Sequence, residues 1–127
     1  MRFLLESHIP HAVARELTRR CPTLVVVHLR DWKQGRFLHA PDEDLLAEAV
    51  RERLTLATYD LKTIPLLLRR LAEEGGHHGG VVLTDDATIA SSNVGGLVAA
   101  LAALWRAHGS EDWMDRCLFL QRRGRGN

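Results

Sequence analysis

Residues 54–75 read LTLATYDLKTIPLLLRRLAEEG, and the fold turns on how this stretch divides. LTLATY, 54–59, is apolar throughout rather than alternating, the pattern of a strand covered on both faces as in a parallel sheet. Asp60 ends that run, and Thr63 with Pro65 begins a helix that continues to about Glu74, before a glycine-bearing loop at Gly75–Gly80. A buried strand that stops on a carboxylate, with no basic residue inside the run to pair with, raises a chemical question as well as a structural one.

The same strand-then-helix unit recurs on either side. Arg2–Leu5 is a short apolar strand, and Pro10 lies near the first turn of a helix whose Ile9, Val13 and Leu17 keep helical spacing as far as Cys21-Pro22. LVVVH, 24–28, is a second apolar strand, again expected to be covered on both faces. Asp31–Ala40 has no usable period and reads as a loop. Pro41-Asp42-Glu43-Asp44 opens a second helix, with Leu45, Leu46, Ala49 and Val50 inward and Glu48, Arg51 and Glu52 outward. VVLT, 81–84, is a fourth strand; Asn93 caps a helix that reaches His108-Gly109; RCLFLQ, 116–121, adds a last strand. Strand and helix in order four times over, with connections long enough for right-handed crossovers, predict an α/β fold: a three-layer α/β/α sandwich with a mainly parallel central sheet.

The 127 residues, 46% hydrophobic and 26% charged, suit a single domain at 1–121, followed by a basic tail at 122–127 that is expected to be flexible. The longest apolar stretch without an ionisable residue, Val94–Trp105, is shorter than the ~20 residues a bilayer span requires, and the Phe3-Leu4-Leu5 run stops at Glu6 without forming a signal peptide. No membrane partner and a cytoplasmic location are therefore expected. Cys21 and Cys117 stand far apart in no metal-binding or disulfide pattern and read as free thiols. A formal net charge of +1 supplies no global attraction for nucleic acid, so a polyanion has to be held by a local site.

In open parallel sheets ligands bind beyond the carboxyl ends of the strands, and acids collect there. Glu6 follows the first strand, Asp60 the third, Asp85 and Asp86 the fourth, and Asp42 and Asp44 begin the second helix. Singly these have ordinary explanations: a favourable helix dipole for Asp42 and Asp44, turn chemistry for Asp60, Asp85 and Asp86. Glu6 is harder to explain that way, since glutamate is a poor turn former and a poor cap. Carboxylates converging from separate segments repel unless a cation lies among them, and oxygen donors without sulfur suit a hard ion, Mg²⁺ or Mn²⁺. His8 with His11, and His77 with His78, lack a third ligand at recognisable spacing. The glycine pairs 75–76 and 79–80 lead into a strand with no GK[ST] after them, which excludes a P-loop. Gly95-Gly96 suits either an anion at a helix start or close packing.

FLLESHIP, PDEDLLAEA, LTLATYDLKTIPLLLRRLAEEG, HHGGVVL and VGGLVAAL, in this order and over most of the chain, resemble the PIN-like family of VapC-related nucleases. The resemblance implies a PIN-like sandwich and a Mg²⁺- or Mn²⁺-dependent endoribonuclease, often the toxin of a toxin–antitoxin pair, with RNA as substrate and an antitoxin or a second copy as partner. It implies Glu6, Asp42 and Asp60 as catalytic and metal-site acids, Asp44 or Asp85 as a fourth, and Ser7, Lys62 and Thr63 at the substrate. The chain departs from the family pattern at its opening: Glu6 stands where Asp is usual, Ser7 where a second acid is common, and His8 where Asn is frequent. A longer acid shifts the metal and weakens or removes activity, so the alternative is a degenerate PIN-like module that binds RNA or a protein without cleavage. A signalling receiver domain also places an aspartate after its third strand, but it requires an acidic pair after the first strand and a lysine after the fifth. Here Glu6 stands alone, and the only lysines are Lys33 and Lys62.

Overall fold

The structure, a computed structural model, describes residues 1–123; of the basic tail expected at 122–127, residues 124–127 lie outside the described residues. In chain order the elements are β1 (Phe3–Leu5), α1 (His11–Arg20), β2 (Val26–His28), α2 (Asp42–Arg51), β3 (Thr55–Thr58), α3 (Thr63–Glu73), β4 (Val81–Leu83), α4 (Val94–His108) and β5 (Cys117–Phe119). The five strands form one sheet in the order β2-β1-β3-β4-β5, every pair parallel. This is the expected α/β/α sandwich.

The alternation of side chains along each strand divides the interior into two cores. Phe3 and Leu5, Ala57 and Val82 face one side, where Val13 and Leu17 of α1 and Leu97 and Leu101 of α4 pack. Leu4, Leu56 and Val81 face the other, against Leu45, Leu46 and Ala49 of α2 and Ile64 and Leu67 of α3. Each of the larger side chains among these, Val, Leu, Ile or Phe, contributes about 1.5–3 kcal/mol by leaving water, which is why the apolar runs of the sequence lie at the centre of the sheet.

The distribution of helices departs from the expected uniform handedness. The steps β2 to β3 and β3 to β4 run across the sheet in the direction opposite to β1 to β2, and α2 and α3 lie on the face opposite α1, so these three crossovers share one hand. The step β4 to β5 runs the same way as β3 to β4, yet α4 packs beside α1. With the first three right-handed, as parallel crossovers are with few exceptions, the last is left-handed. Coverage gives the reason: among the described residues no helix follows β5, and with α4 on the far face α1 alone would be left to cover Phe3, Leu5, Ala57 and Val82.

Local boundaries differ in instructive ways. β2 is shorter than LVVVH because Leu24 N–H turns back to Cys21 C=O at 3.0 Å. As an edge strand, β2 is covered less than expected, with Val25 41% exposed and Val26 and Val27 half-buried against opposite cores. The loop 31–40 includes a short 3-10 turn at Trp32–Gly35 that buries Trp32 in the second core. That turn also covers the outer side of α2: Lys33 pairs with Glu48 and Glu52, and Trp32 Nε1 donates to Glu52. At the start of β4 a Cβ on Gly79 would lie 2.4 Å from Leu54 C=O, and Gly80 has φ +101°, so these glycines permit close strand approach. Among the described residues no helix is long and apolar enough to cross a membrane.

Candidate carboxylate site at the strand switch

Strand order reverses between β1 and β3, since α1 leaves β1 over one face while α2 delivers the chain to β3 over the other. The crevice at such a switch point is where doubly wound sheets bind ligands. Here the chain leaving β1 carries Glu6, the chain leaving β3 carries Asp60, and the first residue of α2 is Asp42. All three line one cleft of about 180 Å³, together with Ser7, His8 and Thr58. The burial of Asp42 pushes its carboxyl above the ordinary range, and the neighbouring charges of Asp60, Glu6 and Glu43 push it further in the same direction. The three acids thus share an electrostatic environment as well as a wall.

Their bonding states differ. Asp60 Oδ1 accepts from Lys62 N–H at 3.0 Å and Thr63 N–H at 2.8 Å, so this carboxylate caps α3 and also lines the cleft. Its own N–H donates to the buried Thr58 Oγ1 at 3.0 Å, which fixes the turn out of β3. Asp42 accepts no hydrogen bond on its side chain from the described residues, and it lines the cleft, where Asp60 and Glu6 bear on it.

Glu6 is the most heavily engaged. Its side chain is only 12% exposed, and its two oxygens accept from His8 N–H (2.9 Å), Ser7 Oγ (3.2 Å), Tyr59 N–H (3.3 Å) and His8 Nδ1 (3.1 and 3.2 Å). A carboxylate offers about four lone-pair directions, and these donors account for them. Glu6 therefore ties the carboxyl ends of β1 and β3 together across 53 residues of chain. This tie extends the backbone ladder, in which Glu6 N–H already donates to Ala57 C=O at 3.1 Å.

The remaining sequence candidates lie elsewhere. Asp44 is exposed on the outer side of α2, and Asp85 accepts from Thr88 N–H at 2.7 Å in a turn after β4; neither lines the cleft. Lys62 and Thr63 line an adjoining groove that shares Asp42 with it. The histidine pairs are spent separately: His11 Nε2 meets Asp31 at 2.7 Å and stacks on His28, while His77 Nδ1 meets Asp115 at 2.7 Å. Asn93 uses Gly96 N–H for capping. Tyr59 was not anticipated: burial, then the charge of Asp86, raises its phenol to about 12, and its hydroxyl donates to Ile89 C=O at 2.8 Å, so it is a neutral wall beside the site. Arg70, in the same groove as Lys62, was also missed, although its spacing of eight residues from Lys62 marks it as lying on the same helix face.

The donor set can be weighed against a hard divalent ion. Among the described residues no three His, Cys, Asp or Glu side chains form a ready-made metal cage. Mg²⁺ commonly uses one or two carboxylates, several waters and a substrate phosphate rather than such a cage. Asp42, with no competing bond, and Asp60, with one oxygen in the cap, meet that requirement. No family model matches the chain, and no curated protein or solved structure matches it either.

Proposed function

We propose that the chain is a metal-dependent endoribonuclease of PIN-like type that hydrolyses a phosphodiester in the cleft between β1 and β3. The observation that carries this reading is the convergence of Glu6, Asp42 and Asp60 from three separate elements on one cleft at the strand switch, where Asp42 is held against the charge of the other two. Asp42 and Asp60 would hold Mg²⁺ or Mn²⁺, and Glu6, whose oxygens are already taken by protein donors, would add its negative charge beside them. The chemistry supplied by such an ion is polarisation of the phosphate and activation of a water. Glu6 holds the ends of β1 and β3 at fixed separation, and Asp60 fixes the start of α3, so that Lys62 and Thr63 stand beside the cleft to meet phosphate oxygens. The test is cleavage of a labelled single-stranded RNA with Mg²⁺ or Mn²⁺: wild type cuts, and Asp60→Asn and Asp42→Asn do not.

A second reading is favoured by one observation. The carboxylate of Glu6 is saturated by four donor groups, as befits a residue retained for structure. On that reading the chain is a noncatalytic PIN-like module that binds RNA or a protein. Absence of cleavage together with retained RNA binding would establish it. The toxin role, an antitoxin and a homodimer rest on the family resemblance. Copurification with the product of an adjacent reading frame and sedimentation of the purified chain test them.

A further inference from the structure

Beside the carboxylate cleft runs a groove of about 510 Å³ lined by Asp42, Glu43, Lys62, Thr63, Leu66 and Arg70, among others. Lys62, the residue just before α3 and already in helical conformation, and Leu66 and Arg70 within α3 recur every four residues, so they stand in one row, each about 6 Å further along the axis. The row begins at the turn that Asp60 caps and leads away from the cleft. Leu66 is 67% exposed, the most exposed large apolar side chain among the described residues. Lys62 makes no ion pair with a carboxylate among the described residues, and Arg70 pairs with Glu43 at 3.3 Å and, more loosely, with Glu74 at 4.0 Å.

We infer that this row, cation then apolar side chain then cation, is the track on which a single-stranded nucleic acid lies as it enters the carboxylate cleft, with phosphates at Lys62 and Arg70 and a base face on Leu66. The inference deepens the nuclease reading above and rests on it for the direction of the strand into the cleft. Nonspecific single-strand sites combine backbone cations with apolar platforms for the bases, and a duplex keeps its base faces stacked out of reach of Leu66. Glu43 gives the track a further property. It is the nearer of the two carboxylates on Arg70 in the free protein, so a phosphate has to displace it, and Glu43 weakens binding. This feature separates a phosphate track from an ordinary solvated helix face, in which the Arg70–Glu43 pair has no consequence for any ligand.

The experiment is fluorescence anisotropy of a labelled single-stranded oligoribonucleotide with the full chain in EDTA, which prevents cleavage, over a range of salt. Lys62→Gln and Arg70→Gln are each expected to weaken binding several-fold and to lower the slope of log affinity against log salt by about 0.7. Glu43→Gln is expected to tighten binding, Leu66→Trp to tighten it by about fivefold or more, and a duplex of the same sequence to bind more weakly than the single strand. All four positions are exposed, and circular dichroism checks that the fold is retained. Unchanged salt slopes, no gain from Glu43→Gln, equal binding of duplex, or no binding by wild type at low salt would each overturn the inference. Binding that follows the expected pattern without any RNA cleavage in Mg²⁺ or Mn²⁺ refutes the nuclease reading and leaves the track standing. Cleavage that Lys62→Gln and Arg70→Gln leave unmoved refutes the track alone.

Discussion

Replacing Glu6 by alanine decides whether this residue is an anchor or a strained active-site acid, because the two roles predict opposite signs. As an anchor, Glu6 satisfies the partly buried Tyr59 N–H, whose loss of an acceptor costs about 1–3 kcal/mol. The His8 N–H and Ser7 hydroxyl are nearer solvent, where water replaces the carboxylate at a cost of about 0.5 kcal/mol each or less. Against this, removing a negative charge relieves Asp42, which Glu6 now disfavours in its charged form, by a few tenths to about 1 kcal/mol. The net expectation is a loss of about 1–2 kcal/mol, which lowers the urea midpoint by roughly 0.5–1 M at a slope usual for a domain of this size. Urea unfolding at pH 7 in EDTA, followed by tryptophan fluorescence, measures it. Glu6→Gln, which keeps an acceptor oxygen but no charge, should fall between alanine and wild type. An alanine variant that is as stable as wild type, or more stable, with unchanged slope would refute the anchor assignment.

Asp42 should behave in the opposite way. Its folded pKa is raised above the ordinary 3.8 by burial and by Asp60 and Glu6, so its charge lowers stability above that folded pKa, and the penalty disappears as pH falls through it. Asp42→Asn should therefore raise the urea midpoint at pH 7 in EDTA, with the gain closing toward zero as the pH approaches 3.8; a gain that grows on acidification would contradict this. Mn²⁺ at one hundred times its dissociation constant should stabilise wild type by about 2.7 kcal/mol in a thermal or urea titration, and neither Asp42→Asn nor Asp60→Asn should respond. Phe3 is fully buried between the sheet and the α1–α4 layer, so Phe3→Ala should cost about 3–5 kcal/mol in the same unfolding assay; a loss under about 1 kcal/mol would mean this core is misassigned.

Much of the fold was legible because burial leaves a strong local trace. LTLATY, VVLT and the heptad-like spacing of Leu45, Leu46 and Ala49 mark strands and helices by composition and period, and the elements lie where these patterns place them. Asn93 and the Asp60–Thr63 turn declare helix starts through cap chemistry that is local in sequence. Trp32 left no such trace: it enters the second core from a loop without period, held by Glu52 twenty residues away. The site was half legible. Acids after strands were visible at once, but which of them meet depends on strand order. The row of Lys62, Leu66 and Arg70 was present in the spacing, yet it gains meaning only when α3 is seen to border the cleft.

The sequence by itself determined the alternation of buried strands and amphipathic helices, hence an α/β sandwich, and it set carboxylates at the ends of strands, because hydrophobic period and capping act over a few residues. Only the tertiary structure decided that β1 and β3 are neighbours, so that Glu6, Asp42 and Asp60 share a cleft while Asp44 and Asp85 do not. It also decided that α4 returns to the side of α1, because covering both faces of a sheet is a property of the whole assembly that no local segment encodes. Glu6 shows the division most clearly: its charge was plain in the sequence, but its bond to Tyr59 exists only once two strands from distant parts of the chain lie side by side.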